Sequence, residues 1–171
     1  MSGILNTAMI LKKGLFFMSP DLTFDWNNYL DYAEEIFNDG QLGKKNECLV
    51  RTGISRAYYG LYHLCKQFAV GAGLVTKSQL KDSGNSHSRL INELKHTNSF
   101  NVEYNNKLNA IKKDIGETLY KLRDYRNDAD YKSEYPRTSD REPNRDLEFA
   151  VISTKEALDN IEKLSAGMRE V

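Results

Sequence analysis

Apolar residues recur along this chain with a helical period. Between Thr23 and Asn38 they fall at Trp26, Tyr29, Leu30, Ala33, Ile36 and Phe37, the i, i+3, i+4, i+7 spacing that lines one face of an α-helix. Asp21 or Thr23 is placed to cap its start, and Asn38-Asp39-Gly40 to end it. A second, longer helix is predicted from Lys44 to about Val70, with Leu49, Ile54, Ala57, Tyr58, Leu61, Cys65 and Phe68 facing inward. Gly53 and Gly60 lie inside it, each costing about 1 kcal/mol relative to Ala on propensity alone. Small residues at those positions point to the close approach of a neighbouring helix.

Gly71 to Ser86 is polar and predicts a loop, after which Ser86 caps a short helix from His87 to about Lys95 that buries Leu90, Ile91 and Leu94. A fourth helix runs from Val102 to about Ala129 through Leu108, Ile111, Ile115, Leu119, Leu122 and Tyr125. Lys132 to Pro143 is charged and aperiodic, hence a loop. Asn144 to about Ala166 forms the fifth helix, using Leu147, Ala150, Val151, Leu158, Ile161 and Leu164. No segment alternates with period two for long enough to predict a strand. The pattern therefore predicts an all-α fold, an up-and-down bundle of four to five helices. Residues 1–20 are read as an N-terminal extension and residues 21–171 as the helical domain.

The 171 residues fit one domain long enough to bury a core without disulfides or metal. Lys and Arg total 24 against 24 Asp and Glu, so no whole-molecule basic field exists to attract nucleic acid or anionic membrane. Any such binding must be local. Cys48 and Cys65 fit no zinc spacing and are expected to be buried apolar residues of a cytoplasmic protein. No run of 18 apolar residues predicts a membrane span. Near the start, Lys12 and Lys13 separate the apolar stretches Ala8–Leu11 and Leu15–Met18, the wrong order for a secretory signal. Met18-Ser19-Pro20 reads as the start of the functional chain.

The densest polar cluster closes the fourth helix, from Arg123 to Tyr131. Arg126 and Asp130 are i, i+4 neighbours there, as are Arg123 and Asn127. Asn127 disfavours helix interiors and points to a cap or a contact. Guanidinium, amide, carboxylate and phenol together suit a phosphate or an RNA backbone, while the plainer alternative is a salt-bridged helix end. On the second helix, Arg56, Tyr59 and His63 form a stripe at i, i+3 and i+7, with Ser55 and Tyr62 beside it. A bundle seam is the plainer account of that stripe. Arg56 and Asp130 are expected to approach each other between helices two and four. Lys107, Lys112, Lys113, Lys121 and Arg123 read as part of a solvated mixed-charge face. His87 and His96 do not have zinc-pair spacing, and no HExxH, GxGxxG or GxxxxGK[ST] occurs, so neither metal nor cofactor is predicted.

Three stretches in order resemble the HEPN superfamily. Ser55-Arg56-Ala57-Tyr58-Tyr59-Gly60-Leu61-Tyr62-His63 is similar to the SRAYYxxxH helix of one branch, Ser86-His87-Ser88 to the histidine opening its short helix, and Arg126-Asn127-Asp128-Ala129-Asp130-Tyr131 to its RNxADY ending. The match spans about Thr23 to Leu164. It implies a HEPN-like bundle, a homodimer with the RN-containing helices meeting at the dimer face. It further implies a place among proteins that are often metal-independent ribonucleases of toxin–antitoxin or phage-defence systems, frequently partnered by a minimal nucleotidyltransferase. The family's catalytic pattern is Arg, a polar residue, then His. Arg126 and Asn127 fit it, but Tyr131 stands at the histidine position, and a phenol with an ordinary pKa near 10 is a poor base at neutral pH.

The resemblance thus implies a HEPN protein that binds RNA or is RNase-like, with a degenerate catalytic motif. Arg126, Asn127 and Tyr131 would be catalytic, and Ser55, Arg56, Tyr59, His63, His87 and Asp130 would bind or support. The alternative is a non-catalytic dimeric interaction module for a nucleotidyltransferase or another defence partner. Some family members carry a tyrosine nucleotidylated by that partner, for which Tyr131 or Tyr135 would be the acceptor. No membrane partner is implied.

Overall fold

The computed structural model describes residues 24–39, 46–81, 85–96, 106–135 and 142–167, and within them five α-helices and no strand. In chain order these are α1 (Asn27–Asn38), α2 (Glu47–Gly71), α3 (Ser86–Lys95), α4 (Asn106–Tyr131) and α5 (Pro143–Gly167). The all-α bundle is as the periodicity predicts.

The helices pack around α2, which touches all four others. Pairings fix their directions. The Gly53 end of α2 meets Ile36 near the end of α1, and its Gly60 turn meets Leu30 and Trp26 at the start, so α1 and α2 run antiparallel. Ser55 of α2 bonds to Asp130 of α4, and Tyr59 to Arg126 one turn earlier, so α4 is again antiparallel to α2. Tyr125 stacks on Phe149 while Leu108 meets Gly167, which makes α5 antiparallel to α4. The result is up-and-down, with the short α3 laid against α4.

Gly53 and Gly60 mark close approach, as their small size suggests. A Cβ at Gly53 would lie 2.7 Å from Leu147 Cδ1, and one at Gly60 would overlap Leu30. Their cost in helix propensity is offset by allowing α1 and α5 to lie close on α2. The core runs through Ile54, Tyr58, Leu61, Cys65, Leu90, Leu94, Ile115, Leu119, Leu122, Leu147 and Leu164, and it also takes Val75 and Leu80 from the connector after α2.

Several local expectations are corrected. Asn46 caps α2, its side chain accepting the Cys48 N–H at 3.1 Å, and the expected start at Lys44 lies outside the described residues. Ser86 is the first residue of α3 and not its cap, because its hydroxyl instead accepts from Tyr62 at 3.2 Å. The fourth helix continues past Ala129 to Tyr131, so Asp130 and Tyr131 are helical. Pro143 opens α5, where its missing N–H costs no hydrogen bond. Cys48 is exposed, although Cys65 is buried as expected. Lys112 belongs to no solvated face; it is fully buried, and its Nζ donates to the Glu93 carbonyl of α3 at 3.2 Å. Burial lowers its pKa. The N-terminal extension and the Asp21 and Thr23 caps lie outside the described residues; at the start of α1, Asp25 accepts the Asn27 N–H at 3.0 Å.

Candidate functional site

The last turn of α4 carries Arg126, Asn127, Asp130 and Tyr131, and the antiparallel pairing brings it against Ser55 and Tyr59 of α2. Arg126 is the hub. Its Nη1 donates to Asn127 Oδ1 at 3.0 Å, and its Nη2 donates to the hydroxyls of Tyr59 and Tyr131, the latter at 3.1 Å. Nε lies 2.7 Å from Asp130 Oδ2, an ion pair whose N–H is not aimed along the contact. The guanidinium also sits over two aromatic faces, 4.8 Å from the Tyr59 ring and 4.9 Å from that of Tyr131. Sequence spacing foretold the Arg126–Asp130 pair. The Arg123–Asn127 pair is absent, because Arg123 donates to Ser88 Oγ of α3 at 2.7 Å.

Asp130 accepts a further bond from Ser55 Oγ at 3.3 Å. It forms one wall of an open cleft of about 550 Å³ lined by Glu47, Cys48, Arg51, Thr52, Ser55, Arg56, Ala129 and Asp130. Arg56 and Asp130 therefore share this cleft, as expected, but Ser55 makes the hydrogen bond. The Arg56 guanidinium lies 4.6 Å over the Tyr29 ring of α1. His63 also turns to α1 and stacks on Trp26, with 3.5 Å between ring centroids and 3° between planes. So the stripe of Arg56, Tyr59 and His63 divides: its first and last members seal the α1–α2 seam, and Tyr59 alone joins Arg126.

His87, at the second position of α3, points back to α2. Its Nδ1 is 2.6 Å from the Tyr58 hydroxyl, and its ring stacks on Tyr62 with centroids 3.9 Å apart. Burial, with Arg123 and Arg126 nearby, lowers its pKa to about 4, and burial also lowers that of His63 to about 4. Both imidazoles are thus neutral at pH 7. A neutral His87 shares one proton with the Tyr58 hydroxyl through Nδ1, the direction of that bond being set by the imidazole tautomer. Burial raises the pKa of Tyr58 and Tyr59, keeping both phenols protonated.

Two acceptor candidates separate clearly. Tyr131 is 71% exposed, whereas Tyr135 is buried and donates to the buried Asp146 at 2.5 Å, which removes it as a modification site. Tyr58, Arg51 and Ser88 were not foreseen as part of this region. Tyr58 carries the apolar rhythm of α2 and reads as core, which it also is.

The site offers a guanidinium, an amide and phenols, the donor set for a phosphodiester. Among the described residues no cluster of three or more His, Cys, Asp or Glu could hold a metal ion, and no helix is long and apolar enough to cross a membrane. No protein-family model, curated protein or solved structure matches the chain.

Proposed function

We propose that this chain is a HEPN-type protein that binds RNA through Arg126, as an RNase-like component of a toxin–antitoxin or phage-defence system in the cytoplasm. The observation that supports it best is the Arg126 guanidinium, over the Tyr59 and Tyr131 rings, bonded to Asn127 and paired with Asp130, which borders a polar cleft. Planar cation and aromatic faces together suit a phosphate and its neighbouring base. A homodimer with the two α4 ends adjacent would double the site, and a nucleotidyltransferase is the partner in keeping with the family resemblance.

A second reading, the non-catalytic interaction module, is favoured by the state of the imidazoles. With His63 and His87 lowered to about 4, no imidazole in this cluster is poised near pH 7 for proton transfer, and Tyr131 stands where the family's histidine would be. One assay separates the two: total RNA is incubated with metal-free purified protein, beside Arg126→Ala and Tyr131→Phe. Cleavage lost in Arg126→Ala supports the nuclease. Binding without cleavage supports an RNA-binding module, and neither activity from a folded dimer leaves the protein-interaction role.

A further inference from the structure

The C-terminal turn of a helix is a poor place for a carboxylate, because the helix dipole puts partial negative charge there and disfavours an anion. Asp130 occupies that turn of α4, and two groups offset the cost: Arg126 on its own helix and Ser55 from α2. The pair is sheltered, with the Arg126 side chain 14% exposed and that of Asp130 26%. Asp130 lines the cleft and Arg126 does not. The carboxylate's residue thus borders the cleft directly, and the cation is paired to it.

Three N–H groups of the guanidinium have acceptors. The Tyr59 and Tyr131 hydroxyls and the Asn127 amide take Nη protons through neutral oxygens, and among the described residues Asp130 is its anionic partner. A phosphate oxygen and a carboxylate oxygen make the same charge-assisted contact with an arginine, so the two compete for one seat. We propose that Asp130 is a built-in competitor for the phosphate-binding guanidinium. It occupies the anion seat of Arg126 in the free protein, and a phosphodiester binds by displacing it into the cleft. This rests on the reading of Arg126 as a phosphate contact. Ser55 holds the carboxylate from the α2 side, and Arg51 and Arg56 line the cleft that receives it. Asp130 is therefore an affinity-setting residue. It makes the site weak for a lone phosphate and selective for ligands that gain further contacts, such as a nucleic-acid strand stacking on Tyr131.

Wild type, Asp130→Asn, Arg126→Ala and the double variant are titrated with two probes, a labelled single-stranded oligoribonucleotide and inorganic pyrophosphate. Asn keeps the shape and removes the charge. Asp130→Asn is expected to bind one or both probes about tenfold tighter, a difference of about 1.4 kcal/mol, and this gain is expected to vanish in the Arg126→Ala background. A gain of equal size without Arg126 would reduce the effect to general charge and overturn the proposal, as would no gain with either probe. A gain for pyrophosphate with no oligonucleotide binding by any variant would uphold the competitor and remove the RNA reading.

Discussion

Two arginines at the same end of the bundle are held in opposite ways. Arg51 of α2 donates through Nη1 to two backbone carbonyls at the end of α4, Ala129 at 3.0 Å and Lys132 at 2.6 Å, and lies 5.0 Å over the Tyr135 ring. Those carbonyls lie at the helix end, where intrahelical partners run out, so Arg51 caps α4 from outside. Arg51 also pairs with Glu47 one turn earlier on its own helix, its Nε donating at 2.8 Å, whereas the partners of Arg126 are all side chains: Tyr59, Asn127, Asp130 and Tyr131. A backbone carbonyl leaves its place only if the helix unwinds. A carboxylate or a phenol leaves by rotating one or two side-chain bonds. The same chemical group is therefore tied to the backbone at position 51, and at position 126 it is held only by side chains, which suits the exchange proposed for it.

The widest gap between the two is expected in stability. Arg51→Ala should lose about 2–3 kcal/mol in urea unfolding, since charged hydrogen bonds contribute about 1.5–3 kcal/mol each and their loss strands helix-end carbonyls. Arg126→Ala should lose less, about 1–2 kcal/mol of stability because its partners can turn toward water, but at least about tenfold in oligoribonucleotide affinity. Equal stability losses would erase the distinction.

Next comes pH. His63 and His87 are lowered to about 4 from the ordinary 6.5, so the unfolded chain binds more protons between those values. Their contribution to stability is complete above about pH 6.5 and is lost as pH falls toward 4. After allowance for their partial exposure, about 1 kcal/mol per imidazole should disappear between pH 7 and 5. The pH dependence should shrink in His87→Gln, and an unchanged profile in that variant would refute the assignment. The smallest effect is expected from Ser55→Ala, about 0.5 kcal/mol in stability, because its bond to Asp130 is long and exposed. Oligoribonucleotide affinity should rise about twofold as Asp130 loosens.

Five helices were legible because burial repeats at the helical period, and Ile54, Leu61, Leu119 and Leu164 lie where that period places them. Arg126 and Asp130 were legible because four residues along one helix is a fixed geometry. The reach of Arg51 to the Ala129 and Lys132 carbonyls was not, since every residue type carries a carbonyl, although its i, i+4 pair with Glu47 follows from spacing. Lys112 was misread because charge suggests exposure, while its long stem crosses the core and delivers the ammonium to the Glu93 carbonyl. Tyr58 hid its polar role behind an apolar one: its ring is core and its hydroxyl meets His87. Tertiary partners of this kind depend on which helices meet, and periodicity along one helix does not specify that.

The two thiols differ as the arginines do. Cys65 is enclosed, and burial pushes its thiol pKa up, so it resists alkylation, whereas Cys48 is exposed on the cleft wall near Asp130. The native sequence thus carries its own attachment point for a single environment-sensitive dye. A fluorophore on Cys48 sits where the displaced carboxylate would swing, and its emission would follow ligand entry in real time without any engineered residue.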